Sequence, residues 1–348
     1  MGFTIPDTAA AITPRWLEKV LGVAVAGVRQ LDAHAGTTGR ALLQLDYVTP
    51  TDLPPRLFVK LPPQDPAQRA FVCSSGMGRR EAMFYRRLSA ELPLRVPRCY
   101  HADWDESGEQ YVMLLENLAD AGCGFHNASR RYSLDYVRSV LGAFADLHAA
   151  YWESPRFESG LHWVGPPVQH PIAVALIERA LGEYSAEMPP VFTELGELYL
   201  AHTDAIHRLW GEGAVTLVHG DVHDGNLFSD GDRPGFLDWA LLARAPGMRD
   251  VGYFLAGTLT PEHQREYGRA LVDYYRERLR SQDVAAPPLE ELQLQYRWHA
   301  AYVWVGATVT LAMGDSWQPL NYVCLLYTSP SPRDQSLYLV CRLLLENR

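Results

Sequence analysis

Leu217-Val218-His219-Gly220-Asp221-Val222-His223-Asp224-Gly225-Asn226-Leu227-Phe228 is followed, after a polar turn, by Pro234-Gly235-Phe236-Leu237-Asp238-Trp239. Within these residues His219, Asp221 and Asn226 stand in the order His-x-Asp-x-x-x-x-Asn. A second carboxylate, Asp238, closes a short apolar run.

Two carboxylates and an amide at these spacings are the minimum set for phosphoryl transfer. A phosphoryl group passing between oxygens spreads negative charge over its equatorial oxygens, so a divalent cation is held against the donor and one carboxylate is set beside the attacking hydroxyl. Mg²⁺ is a hard cation that prefers a few carboxylate or amide oxygens, completed by phosphates and water. Asn226 and Asp238 suit it, and Asp221 is left to accept the substrate proton.

The spacing resembles the catalytic loop and metal-binding segment of the protein-kinase-like fold, His-Arg-Asp-x-x-x-x-Asn followed by Asp-Phe-Gly. Here Gly220 stands for the Arg, His223 lies two positions past Asp221, and Trp239 follows Asp238 with no glycine after it. In these details the chain resembles the aminoglycoside phosphotransferase and choline kinase superfamily of small-molecule kinases. Arg249-Asp250-Val251-Gly252-Tyr253-Phe254-Leu255-Ala256 is similar to that family's Asp-x-x-x-x-Leu-Ala segment, whose Asp is structural. Asp146-Leu147-His148-Ala149-Ala150-Tyr151-Trp152 faintly resembles the ecdysteroid kinase-like branch. The resemblance implies an α+β, bilobal protein-kinase-like fold, with a small antiparallel-sheet N-lobe (1–116) that binds nucleotide. A larger, mainly helical C-lobe (117–323) then carries catalysis and substrate. It also implies ATP and Mg²⁺ as cofactors and a small-molecule alcohol as acceptor.

Composition agrees with a globular enzyme. No apolar run reaches the roughly 20 residues that cross a bilayer, and the start lacks the basic and apolar regions of a signal peptide. Gly2 evokes N-myristoylation, but the Ser or Thr that the motif wants after three spacers is absent. The five cysteines, Cys73, Cys99, Cys123, Cys324 and Cys341, have no paired metal spacing. That argues for idle thiols in a reducing cytoplasm and against a zinc site. A formal charge of −10 disfavours nucleic acid as partner. Cys324-Leu325-Leu326-Tyr327-Thr328-Ser329-Pro330-Ser331-Pro332-Arg333-Asp334 resembles the conceptual translation of a sequencing adapter, so 324–348 is read as foreign and set aside. The other reading is a Pro-Ser loop and a short helix.

From the start, Thr13 and Pro14 form a cap and first turn for a helix. Alternating apolar residues predict strands over 23–31, 41–48 and 56–61. The loop Gly36-Thr37-Thr38-Gly39 falls where the kinase fold puts its nucleotide loop, although the same residues make an ordinary hairpin connection. Lys60 ends its strand in the place of the lysine that pairs nucleotide phosphates; a solvated strand-end lysine is the plainer alternative. A Pro-rich loop and an amphipathic helix over 78–88 follow, and by resemblance Glu81 is the partner of Lys60. Strands over 98–104 and 110–115 flank the turn Asp105-Glu106-Ser107-Gly108. Glu116 and Asn117 resemble the hinge whose backbone holds the adenine edge. From Ser133 the period becomes helical, with helices near 134–149, 172–184, 191–210, 261–279 and 289–313. His148 reads as a core histidine.

The insert 152–216 carries nine acids against three arginines, with Trp152, Phe157, Trp163, Tyr184 and Phe192 among them. In this fold it lies beside the acceptor pocket, so either the acceptor is cationic, or the acids are solvated helix faces and the aromatics core. The leading expectation is an ATP-dependent kinase for a small alcohol, with Asp221 catalytic, His223 near the transferring group and His219 structural. A protein kinase is disfavoured because only eleven residues separate Asp238 from Asp250, too few for a peptide-presenting segment. The reading from another class is a nucleotide-binding pseudokinase or scaffold without turnover, against which stands a competent residue at every catalytic position. The acceptor's identity and the oligomeric state are not written in the sequence.

Overall fold

The computed structural model describes residues 4–34, 38–125 and 132–314. Gly36 and Thr37 of the expected nucleotide loop, and the segment 324–348, lie outside them. In chain order the elements begin with α1 (Pro14–Leu21), β1 (Val25–His34), β2 (Gly39–Tyr47) and β3 (Arg56–Leu61). Next come α2 (Pro66–Ser75), α3 (Met77–Arg87), β4 (Cys99–Trp104), β5 (Tyr111–Glu116) and the short β6 (Gly124–Phe125). Then follow α4 (Leu134–Ala150), α5 (Pro171–Tyr184), α6 (Pro190–Trp210), β7 (Val215–Val218), β8 (Leu227–Asp230) and β9 (Arg233–Phe236). The last elements are β10 (Ala243–Pro246), α7 (Met248–Thr258), α8 (Pro261–Arg280) and α9 (Leu289–Met313). This is an α+β chain in two compact units, Met1–Gly124 with Phe228–Leu241, and Phe125–Leu227 with Leu242–Arg348.

The first unit is built on a five-stranded sheet in the order β1-β2-β3-β5-β4, antiparallel throughout. Period-two alternation on β2 and β3 sends Ala41, Leu43, Leu45, Leu57 and Val59 into one core with Val112 and Leu114 of β5. Register places Arg40 opposite Lys60. The Thr13 hydroxyl accepts from the Trp16 amide ahead of Pro14, and Gly22 closes α1 at φ +73°. Where the sequence suggested only a Pro-rich loop, α2 forms. Its Asp65 carboxylate accepts from the Ala67 and Gln68 amides at 3.0 and 2.9 Å, with Pro66 in the first turn.

Helix α3 lies close against β5 because Gly78 has no side chain. A Cβ there would fall 2.0 Å from Cε1 of Tyr111. Gly→Ala inside a helix ordinarily gains up to about 1 kcal/mol, but overpacking of this severity costs about 1–3 kcal/mol, so the steric term decides the sign. Gly78→Ala is expected to lower the unfolding free energy measured by urea titration. An Ala variant as stable as the parent would contradict this packing.

The second unit is mainly helical. Ile177 of α5, Phe192 and Leu195 of α6, and Ala301 and Trp304 of α9 share a core. His202, at φ −135°, breaks α6 into two parts. β7 and β10 pair antiparallel, Val218 opposite Ala243. No helix among the described residues is long and apolar enough to cross a membrane.

Candidate functional site

The functional residues fall into two groups, one in each unit. In the first unit Lys60, 4% exposed, is placed by β3 between two carboxylates. Its Nζ lies 2.5 Å from Oε2 of Glu81 and 3.2 Å from Oδ2 of Asp238. The Arg40 guanidinium reaches the same Asp238 oxygen at 3.5 Å. Burial at this level, with both carboxylates in reach, removes the solvated-lysine alternative for Lys60. Burial pushes the Glu81 carboxyl up to about 7, against the pull of Lys60.

Helix α3 holds the Asp238 segment through three residues spanning about one turn, Arg80, Glu81 and Phe84. Phe84 stacks on Trp239 with ring centroids 4.3 Å apart and 11° between planes. Arg80 donates to the Ala240 carbonyl at 2.8 Å, and Glu81 reaches Asp238 through Lys60. Asp238 itself sits at φ +62°, in the left-handed region that Asp enters more readily than most residues. Nearby, the Glu116 carboxylate takes a two-pronged contact from Arg95 at 2.9 and 2.7 Å. The Glu116 amide donates to Arg98 O, and the Asn117 carbonyl accepts from Asp120.

The second group is organised by a carboxylate without solvent contact. Asp250, at the start of α7, accepts from the His219 amide through Oδ2 at 2.7 Å and from the Gly220 amide through Oδ1 at 2.8 Å. His148 Nε2 lies 3.4 Å from the same Oδ2, while its Nδ1 shares a hydrogen bond with the Tyr275 hydroxyl at 2.8 Å. Burial alone would lift the Asp250 pKa; the His148 hydrogen bond and the Gly220 amide hold it below its usual value. Tyr302 donates to the Gly220 carbonyl at 3.1 Å, so both peptide groups of that residue are fixed. Gly220 has φ +86°, a conformation in which a side chain would be strained.

Asp221 emerges from this anchored turn half-exposed. Asn226 Nδ2 donates to its carbonyl at 2.8 Å and to its Oδ2 at 3.2 Å. With the nitrogen so directed, Asn226 Oδ1 is the end available to a cation, the hard amide oxygen that Mg²⁺ favours. His223 Nδ1 accepts from the Gly225 amide at 3.0 Å, so the neutral ring carries its proton on Nε2, 3.7 Å from Asp221 Oδ2. The Tyr253 hydroxyl also hydrogen-bonds Asp221.

Sequence reading gave no role to Tyr253, Tyr302 or Arg40. Arg40 had a signal, directly after the loop glycine, and Tyr253 lies within the segment that opens on Arg249-Asp250; Tyr302, far along the chain, had none. The nine acids of 152–216 are all exposed, whereas Phe157 and Phe192 are buried and Trp152, Trp163 and Tyr184 half-buried. The solvated-face alternative is the one the structure takes.

Residues 46–288 match the family described as "Phosphotransferase enzyme family". Among solved structures, a putative aminoglycoside phosphotransferase from Ralstonia eutropha aligns at TM-score 0.50 and 16% identity, over 95% of this chain and 97% of that one. The apoenzyme of macrolide 2'-phosphotransferase MphH from Brachybacterium faecium aligns at TM-score 0.49 and 18% identity, over 94% and 99%. At this identity the Ralstonia likeness bears on the fold alone. No curated protein sequence matches the chain.

Proposed function

The chain belongs to the phosphotransferase enzyme family, and on that premise we propose that it is an ATP-dependent kinase for the hydroxyl of a small molecule. The acceptor oxygen attacks the γ-phosphorus as the bond to ADP breaks, and its proton passes to the Asp221 carboxylate. Lys60, aligned by Glu81, holds the nucleotide phosphates; Thr38 and Gly39 belong to the loop beside them, and the backbone at Glu116 and Asn117 holds the adenine edge. His223, with its proton on Nε2, is placed to donate toward the transferring group. Asn226 and Asp238 are the proposed Mg²⁺ ligands, and both offer the hard oxygens that ion takes. A cation bound there would offset the charge developing on the transferred phosphoryl oxygens.

The observation that carries the reading is the Lys60 ammonium held between buried Glu81 and Asp238. Asp238→Ala removes one proposed metal ligand and leaves Lys60 and Arg40 with surplus positive charge. Affinity for Mg²⁺ with a non-hydrolysable ATP analogue should fall about tenfold, a loss of roughly 1.4 kcal/mol. Affinity for the analogue without Mg²⁺ should hold or rise. Isothermal titration showing unchanged Mg²⁺-dependent affinity would remove Asp238 from the metal.

A further inference from the structure

Arg249 precedes Asp250 on α7 and is only 7% exposed. Among the described residues no carboxylate lies within 4.0 Å of its guanidinium, and its Nε has no hydrogen-bond partner. Every other strongly buried charge here is paired: Lys60 with Glu81, and Asp250 with two amides and His148. What the guanidinium does have is the face of Tyr302, 3.8 Å from its centroid. An arginine stacked on a ring keeps its in-plane N–H donors directed outward from the stack, in the fork that matches a carboxylate or phosphate.

The position relative to Asp221 follows from the tyrosines. Tyr302, which carries Arg249 on its face, donates to the Gly220 carbonyl immediately before Asp221. Its ring meets that of Tyr253 edge-on at 5.5 Å, and the Tyr253 hydroxyl bonds the Asp221 carboxylate. The Arg249 cation, without a carboxylate partner among the described residues, and the proposed acceptor base are thus joined through two tyrosines. The surrounding histidines do not supply a counter-charge. His207 and His299 are both held down to about 4, burial being the larger cause and Arg249 contributing.

We propose that Arg249 binds an anionic group of the acceptor, so that the molecule phosphorylated is an alcohol bearing a carboxylate or phosphate. This rests on the kinase reading of Asp221 and adds the substrate's charge to it. Tyr302 carries the guanidinium over its ring, Arg249 takes the anionic end, and Asp221 takes the hydroxyl. The same charge turns away an amino alcohol, whose ammonium would face a desolvated cation.

The test has two arms. In the first, wild-type protein loaded with Mg²⁺ and a non-hydrolysable ATP analogue is titrated with 3-hydroxybutyrate, gluconate, glycerol 3-phosphate, neutral glycerol and cationic ethanolamine. Binding of one or more anionic alcohols, at least tenfold tighter than the neutral and cationic ones, is expected. Whether carboxylate or phosphate members bind names the anion. Equal or tighter binding of ethanolamine or glycerol would overturn the proposal, and so would an absence of anion preference.

In the second arm, Arg249→Gln should weaken the preferred anion roughly 10- to 100-fold, as the loss of a charge-assisted pair does. Arg249→Lys should fall between, and the analogue's own affinity should be unchanged in both. In turnover the loss should appear in KM for the acceptor rather than in kcat. A Gln variant that binds the anion as the parent does would refute the assignment. Failure of the kinase reading shows differently: the anion binds and Arg249 matters, yet no phosphoryl group is transferred.

Discussion

Asp221→Asn is expected to lower kcat by about 10²–10⁴, the range over which a positioned general base contributes, with Mg²⁺-dependent nucleotide affinity left within about twofold. The Asn side chain keeps an oxygen for the Asn226 and Tyr253 contacts, so the turn between His219 and Asn226 should survive. What is lost is the capacity to take the acceptor proton. Asp221 is proposed to act on the acceptor and not on the nucleotide phosphates, which is why the two parameters should separate. Steady-state kinetics beside nucleotide titration checks this, and an Asn variant with full kcat would take the base role away from Asp221.

Asp250→Ala is expected to cost about 2–5 kcal/mol of unfolding free energy, since it strands two buried amides at about 1–3 kcal/mol each and leaves His148 Nε2 without its acceptor. Asn is no rescue. Its Oδ1 replaces one acceptor, but its NH₂ would face a second donor. Linkage adds a signature. The Asp250 pKa in the folded chain lies below its usual 3.8, so its contribution is fully present above that pH and is lost as pH falls through the lower, folded value. The parent should therefore lose stability on acidification more steeply than Asp250→Ala. Denaturant titrations across the acid range measure both terms, and parallel profiles would mean that the Asp250 carboxylate does not hold the turn.

The part of this architecture legible in the sequence is the part written locally. Thr13-Pro14 and Ser133 mark helix starts by their own cap chemistry, and the period-two runs of β2 and β3 appear within a residue or two of their expected limits. The helix α2 was legible too, from Asp65-Pro66, but Pro62 and Pro63 just before it read as loop. Pairings between distant segments had no local signal. Val215–Val218 finds Ala243–Pro246 across the whole catalytic turn, and 228–241 returns to the sheet-bearing unit.

The site divides along the same line. Asp221, Asn226 and Asp238 stand out because their spacing is a property of one segment. Arg249 and Tyr302 do not, because their juxtaposition depends on how α7 meets α9. The acids of 152–216 show the opposite case: their count is visible in the sequence and their exposure is not, so the sequence leaves open the solvated helix faces that the structure shows.

The most direct test of the central claim is ³¹P NMR of the protein with ATP, Mg²⁺ and the acceptor panel, run in parallel with Asp221→Asn. A new phosphomonoester resonance that grows with ADP in the parent, and is suppressed at least a hundredfold in the Asn variant, is the predicted result. ATP bound at full stoichiometry, with no ADP formed in the presence of any alcohol or of water, would contradict the account and leave a nucleotide-binding protein without turnover.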